Sequence, residues 1–284
     1  MKHLVLLSAL ATLAALSASA ASAGEPIAYG KAPRSADFSD KSGYTIFNPT
    51  PRELWRDLAP DRPDATESPI TVDAGVWAIE ASYFDWRQNN NLDSYTVVAT
   101  NLKVGLTNDT DLQFVFDAFT HENLGGGASN QGFSDVQLRL KHNLWGNDGG
   151  NTAFALFPYI KLPTGTELSN GEVEGGLMLP FGMDLAEGLS LGLMGQIDAV
   201  YNDVTDSYDA QFLHTAVLGI DLTESIGTYL EYIGITGPGS YQTYFAGGFT
   251  YWVSEDLVFD WGTQIGLNDH SEDLGVFGGF TKRF

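Results

Sequence analysis

The stretch Leu257-Val258-Phe259-Asp260-Trp261-Gly262-Thr263-Gln264-Ile265-Gly266-Leu267 puts Leu257, Phe259, Trp261, Ile265 and Leu267 on one parity and Asp260 and Gln264 on the other. Successive side chains of an extended chain point to opposite faces, so one face is apolar and the other polar. The length is that of a tilted strand crossing a bilayer. The same reading extends outward. Leu189–Tyr201 sets Leu189, Leu191, Leu193 and Ile197 against Gln196 and Asp198. Leu112–Glu122 sets Leu112, Phe114, Phe116 and Ala118 against Gln113, Asp117 and His121, and Asp135–Leu144 sets Val136, Leu138, Leu140 and Leu144 against Gln137, Arg139, Lys141 and Asn143.

About twelve such segments follow one another: Val76–Gln88, Leu92–Thr107, Leu112–Glu122, Asp135–Leu144, Thr152–Leu162, Glu172–Leu185, Leu189–Tyr201, Ala210–Leu222, Gly227–Ile235, Tyr241–Val253, Leu257–Leu267 and Leu274–Phe284. An even count returns both ends to one side, as bacterial barrels require. Connections alternate: 108–111, 187–188, 224–226 and 255–256 are tight, whereas 123–134, 163–171, 202–209 and 268–273 are longer. A soluble sandwich also alternates in hydropathy, but it has no need of an even count or alternating loops. The pattern predicts an all-β chain: a transmembrane antiparallel up-and-down barrel of about twelve strands, preceded by a short N-terminal periplasmic segment. Trp86, Trp145, Tyr201, Tyr241 and Trp252 near strand ends are expected in interfacial girdles.

The start of the chain sets the compartment. Lys2 and His3, the apolar run Leu4 to Leu16 and the closing Ala21-Ser22-Ala23 form a secretory signal over 1–23, leaving Gly24 as the mature N-terminus. Residues 24–69 carry seven prolines and no clean alternation; 70–284 form the barrel. With no cysteine, disulfides and thiolate chemistry are excluded. A formal charge of −22 argues against nucleic acid and against a polybasic contact with anionic lipid. No cofactor or metal site is expected. Gly125-Gly126-Gly127 opens no helix, and the acidic loops lack the spacing of a calcium loop. The expected partners are outer-membrane lipid, small solutes and the barrel-assembly machinery, with the chain a monomer.

Within the N-terminal segment, Thr50-Pro51-Arg52-Glu53 is a helix start with Thr50 as N-cap, and Leu54, Trp55 and Leu58 supply a stripe for two turns before Pro60. Lys31, Arg34, Lys41, Arg52, Arg56 and Arg62 gather here, while the barrel portion is mostly acidic. Arg52, Trp55, Arg56 and Arg62 therefore form a candidate plug that docks into an acidic lumen or its mouth. A flexible tail is the alternative.

Two stretches carry resemblances. Phe280-Thr281-Lys282-Arg283-Phe284 resembles the closing strand of bacterial outer-membrane proteins, which implies that Phe284 is read by the assembly machinery. Lys282 departs from the apolar residue usual there. Asp61-Arg62-Pro63-Asp64-Ala65-Thr66-Glu67-Ser68-Pro69, running into Thr71-Val72-Asp73-Ala74-Gly75 and Glu80 and preceded by Phe47-Asn48-Pro49-Thr50-Pro51, resembles the outer-membrane family named for the meta-pathway of phenol degradation. The resemblance implies a transporter that admits small, often aromatic, compounds. It defines no catalytic residue.

On the polar parity, Glu80, Asp117, Glu172, Glu174, Asp198, Glu231 and Asp260 stand with Lys103, Arg139, Lys141 and Lys161 as the expected lumen lining. Such a lining favours neutral or cationic solutes if the lumen is open, and closed salt-bridge ladders if it is not. The function expected is passive passage of small solutes across the outer membrane. The alternatives are a non-conducting structural or loop-binding barrel and, more remotely, an outer-membrane lipid hydrolase. For the last, Ser169-Asn170-Gly171 lacks the histidine expected shortly before it.

Overall fold

The computed structural model describes residues 40–90 and 92–284. The signal sequence expected over 1–23, and Lys31 and Arg34, lie outside the described residues. Thirteen strands form one sheet that closes on itself: β1 (Trp77–Asn89), β2 (Leu92–Thr107), β3 (Thr110–Gly125), β4 (Ala128–Gly132), β5 (Val136–Trp145), β6 (Thr152–Leu162), β7 (Glu174–Ala186), β8 (Leu189–Asn202), β9 (Ser207–Asp221), β10 (Ile226–Gly237), β11 (Ser240–Ser254), β12 (Leu257–Gly266) and β13 (Leu274–Arg283). Every strand pairing is antiparallel and, β3 with β5 apart, joins neighbours in sequence until β13 closes the ring on β1, with Glu80 opposite Thr281 and Gln88 opposite Leu274. Closure leaves β4 as the one strand, among the described residues, that is paired on a single side.

The barrel has twelve staves because β4 and β5 share one. β4 pairs with the outer half of β3 (Thr120↔Gly132) and β5 with its inner half (Thr110↔His142). The strand expected over Asp135–Leu144 forms as β5, whereas the loop expected over 123–134 carries β4, which Phe133-Ser134-Asp135 separates from β5. There Asp117 N–H donates to Ser134 Oγ at 2.7 Å and Ser134 N–H donates to the Asp117 carbonyl at 3.2 Å, so the break leaves these backbone groups bonded.

The connections are more even than the sequence suggests. At the end that carries Trp77 and Arg283, here the near end, 107–110, 186–189 and 254–257 are tight. At the far end, 89–92 and 237–240 are equally tight, and the loop expected over 202–209 shrinks to a turn between Asn202 and Ser207. Strand pairing persists through polar residues that pattern reading assigns to loops. Parity is as expected for the wall: Ile197, Phe249 and Trp261 are 44–55% exposed on the outside, whereas Lys103, Lys141, Glu231 and Asp260 are almost fully buried on the inside.

The N-terminal helix is much shorter than expected. A single 3₁₀ turn spans Arg52–Leu54, with Pro51 rather than Thr50 at its N-cap and no side-chain cap. Thr50 Oγ1 is buried without a hydrogen-bond partner. Leu58 and Ile70 are buried beside polar lumen groups, so tertiary contacts rather than a helical stripe place this chain.

Candidate functional site

Residues 52–72 enter the barrel at the near end, reach mid-lumen at Asp61–Glu67 and return to the near end. At the centre stands Asp61. It receives Lys141 Nζ on Oδ1 at 2.6 Å and Lys103 Nζ on Oδ2, while Lys103 also bonds Glu80 and Asp61 N–H donates to Glu80 Oε1 at 3.0 Å. Strands β1, β2 and β5 thereby share one buried cluster of two ammonium and two carboxylate groups, none more than 7% exposed. Burial acts to raise the Asp61 carboxyl, but Lys103 and Lys141 hold it well below the usual carboxylate range. Lys141 Nζ also sits 4.7 Å from the Phe157 ring centre, a cation–π contact in a dry setting.

Across the lumen, Glu231 on β10 accepts Ala65 N–H and Thr66 N–H, each at 2.9 Å, and Thr66 Oγ1–H at 2.7 Å. Thr66 Oγ1 lies 2.6 Å from Thr215 Oγ1 on β9. Arg62 donates to both oxygens of Asp260 on β12, at 2.7 and 3.2 Å, and to Ser82 Oγ on β1 at 2.6 Å. A Cβ on Gly279 would stand 2.3 Å from the Ala81 carbonyl oxygen and 2.5 Å from Arg62 Nη2, so glycine there serves the strand pairing and leaves room for the guanidinium. Arg139 pairs with Glu67 at 2.8 Å. Burial first, and Asp61 next, push the Glu67 carboxyl up to about 7 against the pull of Arg139.

At the near end Arg56 is buried and bonds the Asn108 carbonyl, Thr71 and Asp148, and Lys41 pairs with Asp73 at 3.0 Å. Arg52 and Arg283 both bond Asp256, and their guanidinium groups lie 4.5 and 5.1 Å from the Trp55 ring centre. Burial works to raise Asp256, but the Arg52 and Arg283 bonds outweigh it and lower the carboxyl. Asp148 is lowered in the same way, with Arg56 and Lys41 against burial.

The residues singled out by parity thus separate into groups. Glu80, Lys103, Arg139, Lys141, Glu231 and Asp260 meet the inward segment, as do Arg52, Arg56 and Arg62 from the segment's side. The remaining five, Asp117, Lys161, Glu172, Glu174 and Asp198, lie away from it, Glu172 in the loop before β7 with its N–H donated to Asn170 Oδ1. Lys161 and Glu174 pair at 2.8 Å near the far end. Asp198 accepts Tyr159 O–H at 2.7 Å, and Asp117 lies at the break in the β4–β5 stave. Phe284 is exposed and donates its N–H to the Trp77 carbonyl at 2.8 Å.

Two expectations are corrected. The inner face is not charged throughout: Phe157, Met178 and Met194 on β6–β8, and Val217, Ile233, Tyr244 and Ala246 on β9–β11, make apolar clusters on it. Trp252 does not belong to an outer girdle, because it lines a cavity inside the barrel with Arg62 and Asp260. Sequence reasoning missed the acidic partners Asp61 and Glu67 of the segment and Asp73 just after it, although all three lie in the stretch that carries the family resemblance. Ser169 Oγ accepts Gly171 N–H in a loop, and among the described residues no histidine hydrogen-bonds to it.

Among solved structures the chain is similar to a KdgM porin, at 10% identity and a TM-score of 0.47 over 73% of this chain and 99% of that one. It is similar to the TodX deltaS2S3 mutant monoaromatic hydrocarbon channel at 9% identity and a TM-score of 0.42, over 74% and 90%. It is similar to an anion-selective porin from Comamonas acidovorans at 8% identity and a TM-score of 0.38, over 74% and 98%. No curated protein matches the chain. The model of the family described as the MetA-pathway of phenol degradation matches residues 60–284, from the inward segment through the last strand, and the chain belongs to that family.

Proposed function

We propose that this protein is an outer-membrane channel for small solutes that is held shut by its own residues 52–72. The observation that carries the reading is the buried cluster of Asp61 with Lys103, Lys141 and Glu80, which fastens the segment across the lumen. A barrel of about twelve staves is too wide for wall side chains alone to fill. The outward band of Leu, Ile, Phe and Trp suits lipid, and the near end, which carries both barrel termini, is the periplasmic one. Phe284, exposed at that end, is the residue offered to the assembly machinery.

The solutes we assign are neutral and partly apolar. The acidic lumen disfavours anions, and the apolar clusters around Phe157, Met194 and Ile233 give an oily flank. The family description adds single-ring aromatics such as phenol. A filled lumen also favours the rival reading of a non-conducting barrel. Uptake separates them: cells lacking the chain are expected to take up phenol more slowly at low external concentration, with recovery on re-expression. Equal rates with and without the chain would overturn the solute assignment.

A further inference from the structure

Two cavities lie in series along one flank of the inward segment. The far one, about 200 Å³, is bounded by Asp85, Arg87, Gln264 and Phe277 and floored by the tip of the segment. The near one, about 40 Å³, lies between Pro60, Tyr229, Trp252 and Asp260. Arg62 and Pro63 line both and stand between them. Resting on the channel reading above, we propose that solutes pass along this flank, between the segment and the β10–β13 wall, with the Arg62–Asp260 pair as the gate.

The bonding supports a gate smaller than the segment. Arg62 is held by its side chain, through two bonds to Asp260 and one to Ser82. The anchors on either side are separate: Asp61 on Lys103 and Lys141, and Ala65 and Thr66 on Glu231. Rotation of one arginine therefore joins the cavities while the segment stays docked. A Cβ on Gly262 would lie 2.4 Å from both Tyr229 Oη and Phe277 Cε2, so glycine there gives these two cavity-lining side chains their room against the wall. Tyr229 is 2% exposed and its hydroxyl has no hydrogen-bond partner, so it offers one to a solute in transit. A dry cavity of about 150 Å³ takes up benzene, so the far chamber has room for a single six-membered ring.

The chain has no cysteine, so an introduced pair is unambiguous. Thr66→Cys with Thr215→Cys, whose hydroxyls are 2.6 Å apart, pins the tip to β9 when oxidised. Potassium chloride currents in planar bilayers are compared for this tethered chain with and without Arg62→Ala and Asp260→Ser. The double change removes both charges, so neither is left buried alone. The gate predicts that the open probability of the tethered chain rises about tenfold or more when the charge-assisted bonds are removed. A deletion of 40–72 serves as the open reference. If the deletion conducts and the tethered chain is unaffected by losing Arg62 and Asp260, the gate is overturned while the channel reading survives. If the deletion conducts nothing, the channel reading fails and the gate with it. Arg62→Lys in the tethered chain, which keeps the charge but not the fork, is expected to fall between parent and Arg62→Ala.

Discussion

Asp61 accepts an ammonium group on each carboxylate oxygen, from Lys103 on β2 and Lys141 on β5, with all three side chains buried. Removing one member of a buried ion pair leaves the others uncompensated, at a cost of about 3 kcal/mol or more. Asp61→Asn is therefore expected to release the inward segment, read as a roughly hundredfold faster cleavage after Glu67 by a Glu-specific protease in folded, reconstituted barrels. An unchanged cleavage rate would show that the cluster does not hold the segment. Lys103 and Lys141 were legible because strand parity assigns each residue a face. Asp61 and Glu67 were not, since a chain without periodicity gives its charges no direction. Their counterparts Arg52, Arg56 and Arg62 were picked out only through their contrast with an acidic barrel.

The segment as an element is fixed at two levels, the mid-lumen cluster and the near-end contacts of Asp148 and Asp256. Both near-end carboxyls are lowered below the ordinary value of about 3.9. A lowered carboxyl contributes its stability above the ordinary value and loses it as pH falls through the lowered one. The near end is thus expected to loosen as pH drops below about 4, seen as a rise in open probability in bilayer recordings. Asp256→Asn should raise the open probability already at pH 6 and flatten that response; a wild-type pH response in Asp256→Asn would refute the assignment. The same segment shows why local signals misled: Thr50-Pro51-Arg52-Glu53 reads as a capped helix, yet only one 3₁₀ turn forms. Arg52 reaches Asp256 and the Trp55 indole Nε1–H donates to the Thr50 carbonyl, and these contacts replace further helical turns. Strands fared better. β2 starts and ends as the pattern predicts, and β4 escaped notice because its Ala128-Ser129-Asn130-Gln131-Gly132 has no apolar alternation and reads as a loop.

At the scale of the whole molecule, alternation specified the wall and its closure but not what fills the lumen. Hydropathy parity separates inside from outside, whereas the contents of a barrel depend on a segment hundreds of residues away in sequence, as Arg52 is from Asp256. The apolar clusters on the inner face were hidden for a related reason: Phe157, Met178 and Ile233 occupy inward positions that a purely polar lumen would deny them. The central claim is that residues 52–72 close a barrel that is otherwise open. Single-channel recording of the full chain beside a chain lacking 40–72 tests it most directly. The account predicts rare, brief openings for the full chain and a steady, larger conductance for the deletion; the same conductance from both, or no current from the deletion at any voltage, would contradict it.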